Sequence, residues 1–236
     1  FWIFFAGLIY YIQTENMREG YPLDSERSGN IRHVGFPNLP AAKTFTLPHG
    51  GGKRLAPRGP EKAYDLAAVP TAPWPGAPIH PTGNPMVDGI GPAAYAIRPQ
   101  TPDLTDDGRP KIVPLRADDH YSVAARDPDP RGKPVFGADG VQAGTITDIW
   151  VDRSEPQIRY LEMDADGRQV LIPMNFVNLR RNGQQVRVSA ILGKHFADVP
   201  ALANPEQITL QEEDQICAYY GGGTLYATPE RSEPLI

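Results

Sequence analysis

Residues 143–174 read AGTITDIWVDRSEPQIRYLEMDADGRQVLIPM, and their grammar is that of strands. Ala143 to Val151 is rich in β-branched residues, which fit a pleated, half-buried surface. Gln157 to Met163 meets Arg168 to Met174 across Asp164–Gly167, with Asp166-Gly167 as a hairpin signal. A second signal, Asn182-Gly183, separates FVNLRR from QQVRVSAI. In the latter, Val186, Val188 and Ala190 alternate with Gln185, Arg187 and Ser189, so one face is buried and one is wet. The expectation is four or five short antiparallel strands forming a small curled sheet or β-barrel over residues 131–200.

Downstream, residues 201–236 hold one helix. Thr209-Leu210-Gln211-Glu212 fits a capping box, and Gly221 is expected to stop the helix. Leu210, Cys217 and Tyr220 are expected to share its packed face. Upstream, residues 13–130 are punctuated by proline, with 16 of the chain's 26 prolines between Pro37 and Pro114. Proline fixes φ and removes a donor, so neither a long helix nor a central strand is expected there. Lys43 to Pro48 is the clearest strand candidate in that stretch. Phe36, Phe45, Leu47, Tyr64, Trp74, Ile79, Met86, Ile90, Tyr95 and Ile97 recur through it, as anchors would in a segment extended along a partner.

Phe1 to Ile12 is free of charge and carries six aromatics. Twelve residues cover about 18 Å of a hydrocarbon core about 30 Å thick. The reading is therefore the C-terminal part of a transmembrane helix whose first turns are missing, with Tyr10 and Tyr11 as an interfacial belt. Arg18, Arg27 and Arg32 just beyond it favour a cytoplasmic C-terminal body.

Composition removes several classes of function. The chain of 236 residues has net charge −5 and no basic run longer than two, which argues against nucleic acid. Proline and glycine make about a fifth of it, excluding an all-helical bundle. A lone Cys217 excludes a disulfide framework, a cysteine-bound zinc and a CxxC pair. His33, His49, His80, His120 and His195 show no paired metal-ligand spacing. Gly50-Gly51-Gly52-Lys53 lacks the spacing and the strand-to-helix frame of a phosphate loop. No catalytic constellation emerges, so an enzyme is not expected. What remains is carboxylates near turns: Asp152 and Glu155 after the strand, Asp103, Asp106 and Asp107 in an acidic turn, and Glu212-Glu213-Asp214 on the helix. Close carboxyls titrate as pairs, and partial burial brings one towards neutrality, as a proton relay needs.

The blocks FWIFFAGLIYYIQTENMREGYPL, KTFTLPHGGG, NPMVDGIGPAAY, PKIVPL, DIWVD and LQEEDQICAYYGGGTLYATPER follow one another along nearly the whole chain. Together they closely resemble the H subunits of purple bacterial photosynthetic reaction centres, and the strand-rich region resembles the barrel domain named after that complex. The resemblance implies an α+β fold: one N-terminal transmembrane helix, an extended proline-rich segment, a small cytoplasmic antiparallel β-barrel and a C-terminal helix. It implies a single-pass protein of the intracytoplasmic photosynthetic membrane whose body caps the L and M subunits. Antenna polypeptides and membrane lipids are the further partners, with no nucleic acid.

No cofactor is expected to be held principally by this chain. Bacteriochlorophyll, bacteriopheophytin, quinones and a non-haem iron are expected in the partner subunits. Glu155 matches the family's glutamate near the secondary-quinone proton path, Asp152 the neighbouring aspartate, and Arg159 and Lys111 nearby basic residues. Some members carry a histidine pair where this chain has Asp106 to Arg109, forming a proton uptake point that traps metal ions. Here Asp103, Asp106 or Asp107 is expected to serve instead, or the entry lies elsewhere; Glu213 is a further proton-transfer candidate, and no metal is expected. The competing reading is a single-span adaptor that uses such a barrel in another assembly.

Overall fold

The computed structural model describes residues 1–21, 24–25, 29–30, 36–57, 65–74 and 76–232. Arg27, Arg32, His33 and Tyr64, named above, lie outside the described residues. The chain divides into two compact units, one of residues 1–65 and 70–78, the other of residues 66–69 and 79–236.

The first unit opens with helix α1 (Trp2–Asn16), which buries none of its residues. Its apolar side chains face outward all round, from Trp2 at 76% exposure to Ile12 at 45%. It runs four residues past the expected end at Ile12, because Thr14 and Asn16 continue the backbone ladder and the Thr14 hydroxyl donates back to Tyr10 O at 2.8 Å. At 15 residues it is about 22 Å long. Among the described residues no helix is long and apolar enough to cross a membrane, so the spanning helix is not seen as such. Arg18 ties the helix end to a hairpin: its guanidinium donates to Glu15, to Ala41 O at 2.8 Å and to Ala56 O at 3.1 Å. That hairpin pairs β1 (Lys43–Thr46) with β2 (Lys53–Ala56), so Gly50 to Gly52 form a turn between strands.

The second unit is built on one sheet of seven strands: β3 (Ile112–Pro114), β4 (Pro134–Phe136), β5 (Gln142–Asp152), β6 (Gln157–Ala165), β7 (Arg168–Pro173), β8 (Val177–Arg180) and β9 (Gln185–Val188). The order is β7-β6-β5-β4-β9-β8, with β3 paired to β5 beyond β4. Three expectations need correction. The sheet does not close into a barrel: β7 and β8 are its free ends, joined through a 3₁₀ turn at Met174–Phe176, and Pro173 ends β7 without a backbone N–H. The pairing is not wholly antiparallel, since β9 and β4 run parallel. A strand also arises from the proline-rich stretch. Ile112–Pro114 is buried at all three positions and pairs with Val151 and its neighbours, its proline confined to the last residue.

Both hairpin signals hold. Ala165 pairs with Arg168 across Asp166 and Gly167, which take φ of 54° and 85°. The core lies between the sheet and helix α2 (Leu210–Tyr226): Ile149, Trp150, Leu161, Ile172, Val186, Ile191, Ile216 and Tyr220 are fully buried. Each such side chain contributes roughly 1.5–3 kcal/mol on burial.

The capping box on α2 is present: the Thr209 hydroxyl accepts from Glu212 N at 3.1 Å, and Glu212 accepts from Thr209 N at 2.8 Å. The packed face follows Glu212, Ile216, Tyr219, Tyr220 and Gly223, while Leu210 and Cys217 are half-buried. The helix does not stop at Gly221 but runs to Tyr226. A Cβ on Gly222 would stand 2.6 Å from Ala93 Cβ, and one on Gly223 would stand 2.3 Å from Ile191 Cγ2. These glycines bring helix and chain into close contact within a continuous helix. Part of the extended stretch packs on the same helix, with Arg98 N–H donating to Gln211 Oε1 at 2.9 Å. Met86 and Ile90 likewise belong to the buried interior, whereas Phe36, Phe45, Trp74, Ile79, Tyr95 and Ile97 are exposed.

Candidate functional site

Asp152 ends β5 and is 1% exposed. Its Oδ1 accepts from Ser154 N at 2.9 Å and Glu155 N at 3.2 Å, closing the turn into β6 as aspartate side chains commonly do. Its Oδ2 faces two cations, Lys111 Nζ at 3.8 Å and Arg159 Nη1 at 3.7 Å. Lys111 reaches the other way to Asp103 Oδ2 at 3.6 Å, and Arg159 to Glu213 Oε2 at 3.9 Å. Tyr160 donates to that same Glu213 oxygen at 3.0 Å, and its hydroxyl lies 4.0 Å from Cys217 Sγ.

Acid and base thus alternate along Asp103, Lys111, Asp152, Arg159 and Glu213. The string runs from a surface turn through a buried strand end to a helix residue, with side-chain exposure of 48% at Asp103, 1% at Asp152, 41% at Arg159 and 15% at Glu213. The outer members are held by backbone hydrogen bonds. Lys111 N donates to Asp103 O at 2.8 Å, and Arg153 N to Lys111 O at 2.8 Å, so the acidic turn is hydrogen-bonded to the β5–β6 turn.

Neighbouring strand residues normally face opposite ways, yet Arg159 and Tyr160 both reach Glu213. The ladder between β6 and β5 slips between Ile158 and Tyr160, leaving Arg159 as the extra residue of a bulge, and such bulges re-aim a side chain.

Burial pushes the Glu213 carboxyl above the ordinary range, against the downward pull of the Tyr160 hydrogen bond and the Arg159 charge. Burial raises the Cys217 thiol and the Tyr160 hydroxyl as well. The arrangement therefore holds two carboxylates beside cations and one carboxyl biased towards keeping its proton.

Glu155 does not join the string. It lies exposed at the rim, its backbone N–H on Asp152 and its carboxylate accepting from Gln157 at 3.4 Å. Asp106 is exposed. Asp107 is tied within its own turn, accepting from the Thr105 hydroxyl and from Arg109 Nε at 2.7 Å, and these bonds hold its carboxyl below the ordinary range.

Two groupings escaped the sequence reading. Asp148 and Glu162, paired across β5 and β6, share Arg116 Nη1 at 3.0 and 2.9 Å, and Trp150 Nε1 donates to Glu162 at 2.7 Å. Only the pairing register, absent from the linear sequence, brings these two acids together. Asp118, Asp119 and His120 place three ligand-type atoms within 4.8 Å of one another. Their adjacency is visible in the sequence, but the other Asp118 oxygen is taken by Arg153 Nε at 2.7 Å.

Residues 1–117 match the family described as photosynthetic reaction centre, H-chain N-terminal region. Residues 123–191 match the PRC-barrel domain, which covers β4 through β9. The two matches follow one another along the chain. By them, this chain belongs to the family of photosynthetic reaction-centre H subunits.

Proposed function

We propose that this chain caps the L and M subunits on the cytoplasmic side of the photosynthetic membrane and carries protons towards the secondary quinone. The pigments, quinones and non-haem iron are assigned to the partner subunits, and the chain itself is an accessory subunit. The observation that carries this reading is the string from Asp103 to Glu213.

Reducing a quinone to quinol takes two electrons and two protons, and a bare proton does not cross a dry interior. Separations of 3.6–3.9 Å along the string exceed hydrogen-bond length, so proton passage between the charged groups requires bridging water or side-chain movement. Lys111 and Arg159 keep the acids between them in play. Glu213, with its raised affinity for a proton, is the store at the helix end of the string, and Tyr160 orients it. Glu155 is assigned to the outer rim, where it passes protons to Asp152. Membrane attachment falls to α1, whose all-round apolar surface is suited to hydrocarbon. The exposed Phe36, Phe45, Trp74, Ile79, Tyr95 and Ile97 are the anchors towards partner subunits and antenna polypeptides, with membrane lipids around them.

The test is flash-induced electron transfer to the secondary quinone in intact reaction centres carrying Glu155→Gln or Asp152→Asn. The first electron needs little protonation, and the second is tied to proton delivery. Selective slowing of the second step, on the order of tenfold, is the expected result. Unchanged rates for both steps across pH in both variants would make the chain a structural cap only.

A further inference from the structure

The β8–β9 hairpin carries three arginines that the string does not use. Arg180 ends β8, Arg181 opens the turn and Arg187 lies within β9. With Phe136, Gly140 and Gln185 they line a groove of about 480 Å³. The turn is held in an unusual form, with φ of 51° at Arg181, 53° at Asn182 and 79° at Gly183. Asparagine and glycine adopt this left-handed region readily, whereas a long side chain such as Arg181 does so at a cost. Gly183 is wedged against Pro128, where a Cβ would stand 2.3 Å from Pro128 Cβ. The backbone that presents Arg181 is therefore fixed.

The charge of these side chains is uncompensated. Among the described residues no carboxylate forms an ion pair with Arg180, Arg181 or Arg187. Arg187 Nη2 donates to Ala138 O at 2.9 Å, which leaves the rest of its fork free. Asp139, beside Gly140 of the groove, directs its carboxylate elsewhere: it accepts from Val141 N and Gly193 N, both at 3.1 Å. A chain with net charge −5 thus keeps a cationic groove clear of its own acids.

We propose that this groove binds a phosphate group. Guanidinium forks match phosphoryl oxygens two at a time, and arginine is favoured wherever phosphate is recognised in this planar manner. Gly140 lacks the side chain that would narrow the groove, with nothing within 4 Å of where a Cβ would point. Phe136 supplies an apolar wall for the carbon that a phosphodiester carries. The group is either the head of an anionic phospholipid or free phosphate, and the test separates the two.

The experiment uses the full chain in neutral detergent micelles, so that α1 is covered before any probe is added. Inorganic phosphate and phosphatidylglycerol at rising mole fraction are titrated separately, and backbone amide shifts are followed by NMR. The expected result is a saturable shift confined to the groove, residues 136–140 and 180–187. In Arg180→Gln/Arg181→Asn the apparent Kd rises at least about tenfold. Arg126→Gln, an exposed arginine outside the groove, leaves it unchanged. Saturation by phosphate identifies the free ion as sufficient, and saturation by phosphatidylglycerol alone identifies the lipid head. No saturable shift with either probe, or the same shift in the double variant, overturns the proposal.

Discussion

The Lys111 ammonium stands 3.8 Å from Oδ2 of Asp152, a carboxylate that is 1% exposed and ends the longest strand of the sheet. A charge so covered is tolerable only with partners, and the strand end supplies two cations and two backbone amides. Lys111→Met removes one cation and leaves Arg159 at 3.7 Å as the other. The expected cost is about 1–3 kcal/mol of stability at neutral pH, read from urea unfolding. In intact reaction centres the second electron transfer slows with it. A variant as stable as the parent would show that Arg159 and the turn amides suffice for Asp152.

Glu213 gives a stability profile with a definite sign. Its carboxyl is raised by burial above its ordinary value. A group raised on folding contributes its full share below the unfolded pKa and loses it as pH climbs through the folded one. Glu213→Gln, which keeps the shape without the charge, is therefore expected to gain on the parent as pH rises from 4 to 8. Tyr160→Phe removes the hydrogen bond that pulls Glu213 down, so the gain is larger in that background. Urea midpoints at three pH values decide it, and a difference that does not vary with pH sinks the assignment.

Gly223 tests the close seam behind α2. Alanine is normally the better helix former by about 1 kcal/mol. Here its Cβ would meet Ile191 Cγ2 at 2.3 Å and Ala190 O at 2.6 Å, and overpacking of that kind costs roughly 1–3 kcal/mol. Gly223→Ala is expected to lower the unfolding midpoint despite its helix propensity. A raised midpoint would show that the seam relaxes freely.

Those glycines also mark the limit of what a sequence shows. Three in a row after an amphipathic stretch read as a helix stop, since isolated glycine favours ends. Their reason here is tertiary, the approach of Ala93, Ala190 and Ile191, and no local pattern announces it. Local signals served well where the physics is local: Asp166-Gly167 takes the left-handed turn it suggests, and Thr209 with Glu212 closes the capping box. Ile112–Pro114 was hidden because a three-residue strand among prolines has no periodicity to read. The carboxylates and cations were individually visible, and their resemblance to a known family marked them. Their alternation in space depends on the Arg159 bulge, and that register shift has no signature in QIRYLEM.

The turn from Asp103 to Arg109 should bind zinc or cadmium weakly. Tight zinc sites draw on imidazole or thiolate, and this turn offers neither. Of its three aspartates, Asp107 is engaged by Thr105 and Arg109, and Asp103 faces Lys111. Asp106 alone is left, and one exposed carboxylate does not hold a transition metal against water. Added zinc is thus expected to leave the second electron transfer nearly unaffected through this turn. Strong inhibition that vanishes in Asp106→Asn or Asp107→Asn would contradict this and place the metal here. Inhibition that survives both variants and disappears in His120→Ala would locate the metal at Asp118, Asp119 and His120, where the one imidazole of the grouping lies.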